Sequence, residues 1–367
     1  MSDTEDNDNS PPPSLVRSDT SPIIQKKAAR VSIPLPTHSN PVSDHEDDPG
    51  DDDDGFEVDD PEILADLPDD TDEIDLVHLR LKTISNLGLQ RFGPTLKRLC
   101  LRQNHIKILD PEVTRALVNL AELDMYDNKI KELGEALDPL VNVTTLDLSF
   151  NLLRAIPPGL RHLQKLKTVY FVQDRISKIS ELESLGATLT SLELGGNKIR
   201  GIEGLDALVN LEELWLGKNK ITRLENLGNL KRLRLLSMQS NRVMKLENLE
   251  ELENLEEIYL SHNGVPRIEG FEKNTKLRVI DVGNNQIPRI ENVSHLHNLE
   301  ELWANDNKIP DLKDLESQLS KHENLETIYL EGNPCQKAVG VNYRRKVMLA
   351  LPQVKQIDAT YGLSSSL

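Results

Sequence analysis

From residue 76 onward the apolar positions recur in one frame, Leu-x-x-Leu-x-Leu-x-x-Asn-x-Ile. The frame fits at 96–106, 120–130, 143–153, 166–176 and 189–199, and continues at 211–221, 233–243, 255–265, 277–287 and 299–309. A last copy lies at 325–335, and a degenerate first copy starts at Leu76. The Leu-x-Leu center predicts a short strand with its two leucines inward and the residues around them outward. The return segments, such as 222–227, leave room for one or two turns of α or 3-10 helix on the opposite side. A longer helix is predicted around 315–321, another over 343–352, and a strand-like turn over 354–358.

The period is 22 residues through most of the chain, with 23 or 24 early and 26 before the last copy. Such a repeat cannot bury its own apolar face, so neighbors must stack. This is the leucine-rich repeat: an α/β solenoid of about 12 repeats, a horseshoe with a concave parallel sheet, short convex helical or 3-10 segments and a C-terminal cap. The Asn of each frame is expected to satisfy backbone groups where the chain leaves the strand, giving a ladder along the stack. Asp174 replaces it in one rung and accepts hydrogen bonds but supplies no amide donor.

The residue between the two strand leucines faces the concave surface. Read in order, these residues are Arg80, Cys100, Asp124, Asp147, Tyr170 and Glu193, then Trp215, Ser237, Tyr259, Asp281, Trp303 and Tyr329. Both tryptophans and three of the six tyrosines stand in this file, where chance placement of the 13 aromatic residues predicts less than one. The adjoining outward position adds Glu213, Glu257 and Glu301. A single aromatic on a sheet covers its neighbors. Five in register, lined with acids, read as a protein-binding face for a partner with basic groups in matching places.

Charge is unevenly placed. The 367-residue chain has a formal charge of -18, but residues 1–75 hold 23 acidic and 4 basic residues while residues 76–367 hold 38 and 39. The chain therefore reads as a near-neutral body with an acidic arm, which argues against a basic nucleic-acid binder with a clustered positive face. The arm holds half of the 20 prolines and is expected to be disordered. The expected division is a disordered arm at 1–73, the solenoid at 74–335, a capping helix and turn at 336–361, and a flexible tail at 362–367. Within the arm, Val31 and Ile33 after Lys26, Lys27 and Arg30 resemble a phosphatase docking motif, but Ile33 stands where an aromatic residue normally does. A plain tail segment with Ser32 as a phosphorylation candidate is the favored reading.

Catalytic chemistry has no foothold in the sequence. No Gly-rich phosphate loop or paired Cys-x-x-Cys appears, and His295 and His297 are poorly spaced for a metal. Asp124 and Asp147 are neighbors but lack an enclosing pocket. No catalytic residue, metal or cofactor is expected, and neither is a membrane span. Two isolated cysteines, Cys100 and Cys335, suit a reducing compartment.

The segments Cys100-Leu-Arg-Gln-Asn104, Leu148-Ser-Phe-Asn-Leu-Leu153, Leu216-Gly-Lys-Asn-Lys-Ile221, Leu236-Ser-Met-Gln-Ser-Asn241 and Tyr259-Leu-Ser-His-Asn-Gly264, with the 343–352 segment, resemble the leucine-rich-repeat regulatory subunits of protein phosphatase type 1, regulatory subunit seven. The resemblance spans roughly residues 74–361. It implies a non-catalytic subunit of nucleus and cytoplasm that clasps the phosphatase catalytic subunit and controls its activity, maturation and mitotic targeting. It also implies a ternary complex with the small inhibitor known as inhibitor three. The family's contact residues match Asp147, Tyr170, Glu193, Trp215, Asp281, Glu301, Trp303 and Tyr329; Asp124, Glu213, Glu257 and Tyr259 join them from the file itself. No nucleic acid or membrane partner is expected, and the free chain is expected to be a monomer. Competing readings are a scaffold of a spliceosomal or cytoskeletal complex and an acidic chaperone for basic proteins.

Overall fold

Twelve three-residue strands stack in chain order into one parallel sheet: β2 (Glu73–Asp75), β3 (Arg98–Cys100), β4 (Glu122–Asp124), β5 (Thr145–Asp147), β6 (Thr168–Tyr170), β7 (Ser191–Glu193), β8 (Glu213–Trp215), β9 (Leu235–Ser237), β10 (Glu257–Tyr259), β11 (Val279–Asp281), β12 (Glu301–Trp303) and β13 (Thr327–Tyr329). The computed structural model describes residues 62–361 and the backbone of Ala29–Arg30. Most of the expected 1–73 arm, the docking-like residues Val31 and Ile33, and the 362–367 tail lie outside the described residues. At the N-terminal edge, β1 (Ala29–Arg30) pairs in parallel with Ile74 and Asp75. At the other edge, β14 (Gln356–Ile357) follows β13, and β15 (Thr360–Tyr361) closes the sheet antiparallel.

The strands are short because the chain turns immediately after them. The residue before each ladder position takes a left-handed conformation: Gln103, Asp127, Phe150, Gln173, Lys218, Ser240, His262, Asn284 and Asp306 all have φ between 50° and 57°. None is β-branched, the class for which this conformation costs most. Beyond the turn each repeat returns its apolar residues to the core. In one turn Leu211, Leu214, Leu216, Ile221, Leu224, Leu227 and Leu230 are all at most 1% exposed. Each such burial contributes roughly 1.5–3 kcal/mol, and it is complete only when the next repeat closes over it.

The expected ladder is present in bond-by-bond form. Asn219 donates through Nδ2 to the carbonyls of Leu194 (2.9 Å) and Leu216 (3.1 Å), and its Oδ1 accepts from the Ile199 amide at 3.0 Å. The same triple contact recurs at Asn128, Asn151, Asn197, Asn241, Asn263, Asn285, Asn307 and Asn333.

Two expectations change. The first strand lies at Glu73–Asp75, and its register opposite Arg98–Cys100 places Asp75, not Arg80, in the concave file. The pattern from Leu76 misleads because Leu79 occupies the ladder position; Asn104 Oδ1 accepts the usual rung bond from the Leu81 amide at 3.0 Å and a further one from the Leu79 amide at 3.1 Å. Convex helices are also sparser than expected. Short ones occur where the repeat is longer, at Pro111–Thr114, Pro158–His162 and Glu183–Leu185, whereas the 22-residue repeats over 201–300 have only turns. The 23-residue repeat over 128–151 also has only turns, so the added length permits a helical turn without requiring one.

The longer final spacing does accommodate a helix at Lys313–Leu319. Beyond it the helix Tyr343–Ala350 lays Tyr343 and Val347 into the core, with Arg345 and Lys346 exposed, as expected of a cap. Arg344 donates to the Ile357 carbonyl at 2.8 Å, tying this helix to the last parallel strand.

Candidate functional site

Strand register carries the concave residues into one line. Asp124 stands opposite Asp147, then Tyr170, Glu193, Trp215, Ser237, Tyr259, Asp281, Trp303 and Tyr329, each paired with the next across adjacent strands. Neighbors in the line are therefore about 4.8 Å apart. A second line beside it runs through Glu213, Leu235, Glu257, Val279 and Glu301.

Accessibility divides the line into three parts. Asp124, Asp147, Tyr170, Glu193 and Trp215 are half-buried, and Glu213 is exposed. In the middle, Ser237, Tyr259 and Asp281 are only 3%, 8% and 5% exposed, and Glu257 only 9%. Glu301, Trp303 and Tyr329 again present half-buried surfaces. The expected contact residues Tyr259, Glu257 and Asp281 thus belong to the line in register but offer a partner little surface.

Acids and aromatics hold one another in place. Trp303 donates its indole N–H to Glu301 Oε2 at 3.0 Å, and its ring lies 5.4 Å from that of Tyr329. Tyr259 donates its hydroxyl to Glu257 Oε2 at 2.8 Å. Gln356, from the capping segment, donates to the Tyr329 hydroxyl at 2.6 Å. Asp124, Asp147 and Asp281 each use one carboxylate oxygen to accept the backbone N–H two residues later, at 3.1, 2.9 and 3.0 Å. These bonds brace the strand ends, so part of each aspartate's role is structural.

Burial raises the pKa of several of these carboxyls above the ordinary carboxylate range. Desolvation is the main cause at Asp147, Glu193, Asp281 and Glu301; Asp147 and Glu213 add repulsion at Glu193, and Glu300 and Glu257 add it at Glu301. Ionized carboxylates in such a setting gain from an incoming cation, which restores what desolvation removed.

One feature of the site is not visible in the Leu-x-Leu frame. Arg102 bonds Asp124 at 3.0 Å, lies 3.8 Å from Asp147, and stacks 4.0 Å above the Tyr126 ring. Tyr126 in turn packs 4.8 Å from Phe150. Phe150 is 40% exposed and occupies a left-handed position that is polar or glycine in the other regular repeats. That exception is the sequence signal that marks this lip of the concave face.

Profiles of the leucine-rich-repeat family match residues 94–153, and two-copy profiles match 187–229, 209–253, 253–296 and 275–317; together they cover just over half of the chain. Among curated relatives, the Saccharomyces cerevisiae protein phosphatase 1 regulatory subunit SDS22 is 50% identical over 97 residues, 26% of this chain and 28% of that protein. The Arabidopsis thaliana protein phosphatase 1 regulatory inhibitor subunit PPP1R7 homolog is 36% identical over 176 residues, 47% of this chain and 52% of that one. The matched segments thus span about a quarter of the yeast relative's length and half of the plant relative's. The crystal structure of an internalin from Listeria monocytogenes superposes with a TM-score of 0.62 at 23% identity, covering 82% of this chain and 89% of that one, and shows the fold alone.

Proposed function

Because this chain belongs to the leucine-rich-repeat family and resembles the regulatory subunits of protein phosphatase 1, we propose that it is a non-catalytic regulatory subunit whose concave face holds a type 1 phosphatase catalytic subunit. The observation that carries this reading is the register-locked line of aromatics and desolvated carboxylates. Its two accessible clusters, Asp124 to Trp215 and Glu301 to Tyr329, suit a partner that brings basic side chains against the acids and apolar surface against the tryptophans. On this reading the chain controls the activity, maturation and mitotic targeting of the phosphatase in nucleus and cytoplasm, and inhibitor three joins a ternary complex.

The test is capture of the phosphatase by the full chain beside a Trp215→Ala/Trp303→Ala variant. Each tryptophan is half-buried by its own chain, so removing both empties the partner's contact while the leucine core is unchanged. Affinity is expected to fall at least about 30-fold, with the circular dichroism spectrum retained. Equal capture by both proteins rejects the concave line as the contact surface. Capture of a different protein by the wild type, with no phosphatase, replaces the partner assignment with a scaffold role.

A further inference from the structure

Each ladder residue is followed by an outward, an inward and a second outward residue, and the inward ones, such as Ile130, Ile176 and Ile199, enter the core. The first outward position reads Lys129, Leu152, Arg175, Lys198, Lys220 and Arg242 in successive repeats. A backbone ladder aligns them: the amides of Lys129, Arg175, Lys198, Lys220 and Arg242 bond the preceding repeat's inward carbonyl at 2.8–2.9 Å. The second outward position adds Lys131, Arg154 and Arg200. Neither position holds an Asp or Glu from His105 through Met244.

The result is a cationic band along one flank, beside the acidic concave face, that the near-neutral net charge of the body conceals. Among the described residues none of these eight cations forms an ion pair, whereas cations further along the same loops do: Lys178 with Glu203 (3.5 Å), Arg223 with Glu247 (3.4 Å) and Arg267 with Glu291 (3.1 Å). Like charges about 5 Å apart from Arg175 to Arg242, with Lys129 two rungs before them across Leu152, repel one another and gain from a polyanion.

The chain carries one. Residues 44–60 contain 11 Asp/Glu and no Lys or Arg. Both ends of the 31–61 segment are held at the same end of the solenoid, by the pairing of Ala29 and Arg30 with β2 and by Arg91, which donates to the Leu67 carbonyl at 2.9 Å. A 31-residue segment doubling back reaches about 50 Å, and the Arg242 rung lies seven strand spacings, about 34 Å, from β2. We propose that residues 44–60 dock in cis along the flank band of Lys129, Arg175, Lys198, Lys220 and Arg242. Tethering supplies an effective concentration on the order of millimolar, and the contact is electrostatic and salt-sensitive. The docked arm shields the band from other polyanions and leaves the concave line open, so the proposal stands independently of the phosphatase reading.

Zero-length carbodiimide cross-linking of the full chain, mapped by mass spectrometry, tests the docking. At about 50 mM salt, carboxyls of 44–60 are expected to join Lys129, Lys198 and Lys220 in preference to Lys276 and Lys355, and the preference is expected to vanish at about 500 mM. Even scatter over all lysines, or cross-links found only between chains in an isotopically mixed sample, overturns it. A second readout uses a fluorescent single-stranded oligonucleotide as a polyanion probe. An Asp51→Asn/Asp52→Asn/Asp53→Asn/Asp54→Asn variant is expected to bind it about 10-fold more tightly than the intact chain. Equal binding overturns the arm as occupant of the band.

Discussion

Asn285→Ala lowers the unfolding free energy by about 3–5 kcal/mol, as expected from the bonds it removes. Asn285 is 1% exposed and donates to the carbonyls of Leu260, Val282 and Gly283 at 3.0, 3.0 and 2.9 Å, while its Oδ1 accepts from the Val265 amide at 2.9 Å. Alanine leaves the buried Val265 amide without a partner, at a cost of roughly 1–3 kcal/mol. It also removes one of two donors from each of the three carbonyls, which keep Asn263, Asn307 and the His262 amide, at roughly 0.5–1.5 kcal/mol each. Water entering the vacated space recovers part of it. At Asn241 and Asn263 the same bonds are half-exposed, so alanine there is expected to cost about half as much. Urea unfolding monitored by circular dichroism measures both, with amide exchange at Val265 reporting the local loss. A change below about 1 kcal/mol at Asn285 sinks the argument that the ladder is a principal tie between repeats.

The second large effect has the opposite sign. Asp174 stands in the ladder at 5% exposure; its Oδ1 accepts from the Leu153 amide at 3.0 Å, and its Oδ2 is buried without a hydrogen-bond partner. Burial, with a smaller contribution from Asp147, raises its pKa from 3.8 to about 7. A carboxyl whose folded pKa is raised binds a proton more tightly in the folded state. Stability is therefore lost as pH climbs from 3.8 toward 7, and the full penalty applies above that. Asp174→Asn supplies the missing amide donors and removes the titration. It is expected to stabilize the chain by about 2–4 kcal/mol near pH 8, with the advantage shrinking as pH falls toward 5. Thermal melts of both proteins at several pH values measure this; a difference independent of pH would show that Asp174 does not titrate within this window.

Much of the solenoid was legible because each repeat repeats the same physics. The Leu-x-Leu center announces a strand with two buried residues, and the ladder Asn announces the turn after it. The first repeat escaped because its ladder position holds Leu79, so the pattern put the strand center at Leu79-Arg80-Leu81 instead of Ile74-Asp75-Leu76. Alternation along a strand decides which residues share a face, so spacing put Asp124 through Tyr329 into the single register the strands show, while Arg80 does not belong to it. Composition and spacing did not disclose that Tyr259, Glu257 and Asp281 are covered, because that depends on side chains from neighboring repeats. Nor did they reveal Arg102, Tyr126 and Phe150, which lie in the turn beyond the strand. The flank band was hidden for a related reason: net charge sums over faces that the fold keeps apart.

The strand spacing also makes the concave line a ruler with its own pitch. Its marks fall about every 4.8 Å, whereas a helix laid along it offers a side chain per turn every 5.4 Å. The mismatch grows by about 0.6 Å per rung and exceeds 2 Å after four, beyond what a hydrogen bond tolerates. No straight helix stays in phase from Asp124 to Tyr329. A helical partner spanning the whole line must therefore meet it with separate helices, each resetting the phase, and the covered middle at Ser237, Tyr259 and Asp281 is where one can end and the next begin.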